Sequence, residues 1–134
     1  MEYKCRHLEM IQEIIKRMAA NSFTLKGWTV TIVAGILTLS ANVISYSEIF
    51  LIGIPIILFW GLDSYYLMQE KRFRNLYDDV LKKKEEEVDF SMEMPSMPTG
   101  ELLKMYWTHV FSITEIAFYI PLVIISVITI CFLQ

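Results

Sequence analysis

Glycine is scarce and scattered: its five copies never cluster, so the sequence has no P-loop, no GxGxxG run and no backbone cradle for a phosphate. Cysteine is scarcer still. Cys5 and Cys131 fall on opposite sides of the arrangement derived below, cannot pair within the chain, and belong to no CxxC or mixed His/Cys cluster that would hold a metal. No nucleophile, base and orienting group recur at catalytic spacing, so the sequence argues for no enzyme and no cofactor. Internal repeats and low-complexity tracts are missing as well.

Charge is absent in blocks. From Gly27 to Ser45, from Ile49 to Leu62 and from Ile116 to Gln134 there is no Asp, Glu, Lys or Arg. A hydrocarbon core about 30 Å thick takes roughly 20 apolar residues of helix to cross, and with their flanks these blocks give segments near 25 to 45, 48 to 66 and 111 to 133. The hydrophobic share of 54% exceeds the roughly 45–50% of a soluble domain. None of the blocks carries the strongly polar face that a helix on a soluble core needs. The expected fold class is therefore all-α: an integral membrane protein with three transmembrane helices, an N-terminal amphipathic helix and a long cytoplasmic helical extension of the second span. The parts expected are an amphipathic arm over 1–21, a transmembrane hairpin over 22–66, a cytoplasmic helix and linker over 67–108, and a third transmembrane helix over 109–134.

Basic residues set the orientation of such a chain. Lys4, Arg6, Lys16, Arg17 and Lys26 precede the first span, and Lys71, Arg72, Arg74, Lys82, Lys83, Lys84 and Lys104 separate the second from the third. These are all 12 Lys and Arg residues, whereas the turn expected around Tyr46 to Glu48 carries only an acid. Both basic segments belong in the cytoplasm, with the N-terminus inside and the C-terminus outside. The net charge of −3 bears little on this, because acids contribute weakly to the rule. The first apolar block begins too late, after too charged an arm, to read as a cleaved signal peptide.

Residues 2 to 20 carry Leu8, Ile11, Ile15 and Met18 on one helical stripe, with Ile14 beside it and Glu9, Glu13 and Lys16 opposite. The arm is too charged to span, so its stripe faces either lipid headgroups or the underside of the bundle. Asn21 and Ser22 read as the end of this helix and the N-cap of the next, and Lys26 and Trp28 as a snorkelling and an aromatic anchor. Beyond the second span, Phe73, Leu76, Tyr77 and Val80 continue the helical period to about Glu87, Glu70 and Arg74 form an i, i+4 pair, and Lys82 to Glu87 make a solvated charged face. Pro95 and Pro98 end that helix, and Thr99 starts the last one, which reaches the membrane through Tyr106 and Trp107.

Polar groups in hydrocarbon are costly and mark function or packing. Gly27, Thr31, Ala34, Thr38, Ala41 and Ser45 form one stripe of small residues on the first span, bordered by Gly35 and Asn42. Two readings follow: close packing against the other two spans, or an axial pore between copies, lined by Thr31, Thr38, Asn42 and Ser45. Gly53 and Pro55 predict a bend in the second span, and Pro121 a kink in the third. Asp63 at the membrane boundary reaches interfacial water, pairs with Lys26, or contributes to a ring of carboxylates at a channel mouth. Ser112, Glu115, Tyr119, Ser126 and Thr129 share one face of the third span, where Glu115 either accepts bonds from a neighbouring helix or lines a conduction path. His109 lies on a different face from Glu115.

The arm and first-span start, Arg17-Met18-Ala19-Ala20-Asn21-Ser22-Phe23-Thr24-Leu25-Lys26-Gly27-Trp28, and the second-span exit, Phe59-Trp60-Gly61-Leu62-Asp63-Ser64-Tyr65-Tyr66-Leu67-Met68-Gln69-Glu70-Lys71-Arg72, resemble small membrane effectors of bacterial anti-phage defence. The resemblance covers about residues 5 to 85 and is to SLATT-type two-helix proteins and, within that company, to the channel subunits of Hailong systems; the third span lies outside the two-helix pattern. It implies a channel in the bacterial inner membrane, a homo-oligomer for which a tetramer is the guess, that depolarises the cell under control of the nucleotide product of a partner nucleotidyltransferase. On that footing Arg72, Arg74, Lys82, Lys83 and Lys84 are the candidates to sense an anionic ligand; otherwise they are ordinary positive-inside charge. The competing readings are a non-conducting anchor that recruits a cytoplasmic partner, and a holin-like lytic protein.

Overall fold

The computed structural model of the chain describes residues 1–40 and 46–133, and the described residues are almost wholly helical. Helix α1 spans Glu2–Leu39, α2 Tyr46–Lys82, α3 Thr99–Val110 and α4 Ile113–Leu133, with a single 3-10 turn at Glu85–Glu87. Three of them, α1, α2 over Ile49–Lys82 and α4 over Ile113–Phe132, are long and apolar enough to cross a membrane. Helices α1 and α2 pack against each other along most of their length as a long hairpin, and α3 and α4 lean on it.

The break expected at Asn21 and Ser22 does not occur. Helix α1 runs through it for 38 residues without interruption. A Ser that could cap a helix start bonds elsewhere when a better acceptor lies across the interface, and Ser22 is buried with its hydroxyl donating to the Asp63 carboxylate. The arm and the first span are thus one rod. Tyr46, expected in a turn, already begins α2.

One half of the hairpin has an apolar interior and a charged exterior. Ile11 and Ile15 from α1 meet Leu76 and Val80 from α2, with Leu8, Phe73, Tyr77 and Met92 around them. The stripe read from the arm therefore packs on α2, not on lipid. Helix α2 stops at Lys82, short of Glu87, where carbonyls are taken up from outside the helix: Lys4 Nζ donates to the carbonyl of Leu81 in its last turn and to that of Lys83 just beyond it, each at 2.7 Å. The expected charged face over 82 to 87 is accordingly a turn. From there the chain folds back over the start of α1, where the Met1 ammonium pairs with Glu85, Tyr3 and His7 meet the Phe90 ring, and the His7 ring bonds the Ser91 carbonyl at 3.1 Å. Asp89 accepts the Ser91 N–H at 3.2 Å, and that bond holds its carboxyl below the usual carboxylate range.

The other half has its own apolar core: Val33 from α1, Ile52 and Ile56 from α2, and Tyr119 and Ile130 from α4. Trp60 stacks on Tyr119 with centroids 5.4 Å apart. Its outer surface is apolar too, with Phe50, Ile57, Leu58, Ile125 and Phe132 all exposed, as a lipid-facing surface must be. Pro55 and Pro121 sit inside uninterrupted helices.

The single last helix expected from Thr99 onward is two. Phe111 and Ser112 separate α3 from α4, and the Ser112 carbonyl opens α4 by accepting the Ile116 N–H at 3.0 Å. Two side chains of α2 and α3 fasten the joint: Trp60 Nε1 donates to the Val110 carbonyl and Tyr106 Oη to the Gly61 carbonyl, both at 3.1 Å. A Cβ on Gly61 would come within 3.2 Å of that hydroxyl, so glycine lets the tyrosine approach the helix backbone.

Candidate functional site

Between the two halves, α1, α2 and α4 bring five polar side chains together. Lys26 Nζ pairs with Asp63 and with Glu115, the latter at 2.7 Å. Ser22 donates to Asp63 Oδ1, and Tyr119 Oη donates to Asp63 Oδ2 at 3.1 Å. Asp63 and Glu115 are 0% exposed, and the Lys26 side chain is 17% exposed. The ammonium also lies 5.7 Å and 5.9 Å from the centroids of the Phe118 and Tyr119 rings, whose faces attract cations.

The elements place these groups by simple periodicity. Ser22, Lys26, Thr29 and Val33 are spaced i, i+4, i+7 and i+11, which is one face of α1, and Glu115, Tyr119, Ser126 and Ile130 are the inward face of α4. Lys26 is therefore not a snorkelling anchor: it turns inward because two buried carboxylates there would otherwise have no counter-charge. Trp28, two residues on, is exposed as an aromatic anchor requires. Of the three readings of Asp63, the structure shows the pair with Lys26. Glu115 joins the same pair, and His109 does not, its Nδ1 meeting the Met105 carbonyl at 2.8 Å. Sequence periodicity gave no sign that Glu115, more than 50 residues beyond Asp63, shares its cation.

The small stripe of α1 points the other way. It is rotated from the Lys26 face by one residue, about 100°, and Gly27, Thr31, Ala34 and Thr38 are all exposed. A Cβ built on Gly27 or Gly35 would touch nothing. From Gly27 to Thr38 the stripe is thus not the packing surface for α2 and α4, because the face that carries Lys26 takes that place. Thr31 and Thr38 donate to the carbonyls of Gly27 and Ala34 at 2.9 Å and 2.8 Å, which leaves the lone pairs of each hydroxyl oxygen free to accept. Ala41, Asn42 and Ser45 lie outside the described residues.

Of the basic residues, Arg74 shares a groove of about 450 Å³ with Lys16, Lys71 and Tyr77, on the charged half of the hairpin. Arg74 is held there by Glu70, at 3.0 Å and 2.7 Å, the i, i+4 pair expected from the sequence. Arg72 is half-buried and does not line that groove, and Lys82, Lys83 and Lys84 are exposed at the far end of α2. The structure does not gather the five into one site. Among the described residues no three His, Cys, Asp or Glu side chains converge as metal ligands; between Asp63 and Glu115, the place a cation would take is filled by the Lys26 ammonium. Cys5 and Cys131 are both free and exposed.

Comparison of the chain with protein-family models, with curated proteins and with solved structures finds no match.

Proposed function

We propose that the chain is an oligomeric ion channel of the bacterial inner membrane, an anti-phage effector of the kind its sequence resembles, whose opening depolarises the cell. Its charged half lies in the cytoplasm and its C-terminus outside. The observation that carries this reading is the outward stripe Gly27, Thr31, Ala34 and Thr38: a membrane-length helix turns small and hydroxyl-bearing residues away from its own bundle, toward whatever surrounds the chain. Small residues permit close approach of a second helix, and hydroxyl lone pairs offer cations a polar wall. A single chain gathers Lys26, Asp63 and Glu115 into one buried cluster, so in this reading a water-filled path arises between copies, and subunit association is part of the function. The groove at Lys16, Lys71 and Arg74, together with Lys82 to Lys84, supplies the cationic surface for an anionic signal such as a nucleotide from a partner enzyme. A signal shifts the gate only by binding the open arrangement better than the closed one.

Purified protein in planar bilayers should give discrete conductance steps, and Thr38→Leu should lower the unit current. Absence of steps would leave the anchor reading standing, and steps indifferent to both Thr31→Leu and Thr38→Leu would remove α1 from the pore. Neutralising Lys82, Lys83 and Lys84 together should weaken the response to the signal and leave unit conductance unchanged.

A further inference from the structure

The buried cluster does not balance. Lys26 brings one positive charge, whereas Asp63 and Glu115 bring two carboxylates into a region flanked by apolar core. The two acids are also served unequally. Asp63 receives Ser22 on one oxygen and Lys26 and Tyr119 on the other. Glu115 receives Lys26 on Oε1 alone, and its Oε2 is buried with no partner at all. An ionised carboxylate with one bare oxygen in such a place is a costly species, and a neutral carboxyl is a much cheaper one.

We propose that Glu115 is a proton-binding site, holding one proton on its Oε2 and so bringing the Lys26, Asp63 and Glu115 cluster to neutrality. A sodium or potassium ion fits the same charge count less well, since it needs several oxygens and meets the Lys26 ammonium 2.7 Å from Oε1. The titratable groups that face Glu115 are Lys26 from α1, Asp63 from α2 and Tyr119 on α4 itself. A groove of about 310 Å³, lined in part by Glu70, Arg74, His109, Ser112 and Thr114, opens near the start of α4, one turn before Glu115. The hydroxyl of Ser112, three residues before Glu115, is itself buried without a partner, so the groove stops short of the carboxyl. Without that proton the cluster would hold one uncompensated negative charge where the three membrane-length helices meet. The assignment is independent of whether the assembly conducts ions.

The test is infrared absorption of the full chain in lipid films at neutral pH, where a protonated carboxyl shows a C=O stretch that a carboxylate lacks. The wild type should show one such band, and Glu115→Gln should abolish it. Asp63→Asn, which keeps the shape of the side chain and one acceptor oxygen but removes one negative charge, should abolish the band too, because Glu115 then serves as the sole counter-ion of Lys26. A wild type without the band, a band that survives Glu115→Gln, or a band that survives Asp63→Asn would each overturn the proposal.

Discussion

The two halves of the α1 and α2 hairpin are built from the same two rods, yet their insides and outsides are exchanged. Toward the chain's N-terminus the interface is Ile11, Ile15, Leu76 and Val80, and the charges of Lys16, Arg74 and Lys82 look outward. Toward the apolar half the exterior is Ile57, Leu58 and Phe132, and the charges of Lys26, Asp63 and Glu115 look inward. The comparison teaches which solvent each half answers to. In water, association of α1 with α2 is driven by removing Ile and Leu from solvent. In lipid that drive vanishes, since hydrocarbon surrounds the helices either way, and packing and polar bonds must hold them.

The strongest blow to the comparison falls on the buried charges. Lys26→Met leaves the buried Asp63 carboxylate without its counter-ion and should cost about 3–5 kcal/mol, the usual penalty for breaking a buried pair from one side. Detergent-solubilised protein titrated with a denaturing surfactant would read it, and a loss below about 1 kcal/mol would mean that the cluster is solvated. Next in size is Ile11→Ala, which should cost about 2–5 kcal/mol as a cavity in a water-flanked core. Ile56→Ala, equally buried, should cost less in a bilayer, because the side chain leaves hydrocarbon for hydrocarbon; equal losses would erase the distinction between the halves. Lys4→Met should cost about 0.5–1.5 kcal/mol by leaving the Leu81 and Lys83 carbonyls at the end of α2 to water, and hydrogen exchange should then rise at Leu81 to Lys84 alone. Smallest is acidification. The Asp89 carboxyl, held low by the Ser91 N–H, supports its turn above the ordinary aspartate range of about 3.9, and that support is lost only as pH falls through its lower folded value. Chemical shifts of Ser91 should follow that step and those of Ser64 should not.

Much of this exchange was legible in the sequence. Blocks without charge located three membrane-length segments, the period of Leu8, Ile11 and Ile15 gave the arm its face, and Glu70 with Arg74 paired as spacing required. Spacing within one helix encodes all of these. What escaped was whatever depends on a partner from a distant segment. Ser22 looked like a cap because its type suits caps, and only the presence of Asp63 across the interface makes it a donor instead. Lys26 looked like an anchor because it stands beside Trp28, and only Glu115 makes the inward course worthwhile. The joint at Phe111 and Ser112 was hidden because neither residue is a strong breaker; it is fixed by Trp60 and Tyr106 from outside. The stripe of α1 was found, but its direction depends on which neighbouring face wins the bundle.

The unbroken course of α1 carries a mechanical consequence. From Lys26 to Glu2 the helix extends about 36 Å, with no turn along it to absorb a bend. A tilt of about 5° around the Lys26 junction would swing the chain's first residues by roughly 3 Å. A touch at that end is therefore delivered to the apolar half as torque, without loss in a hinge.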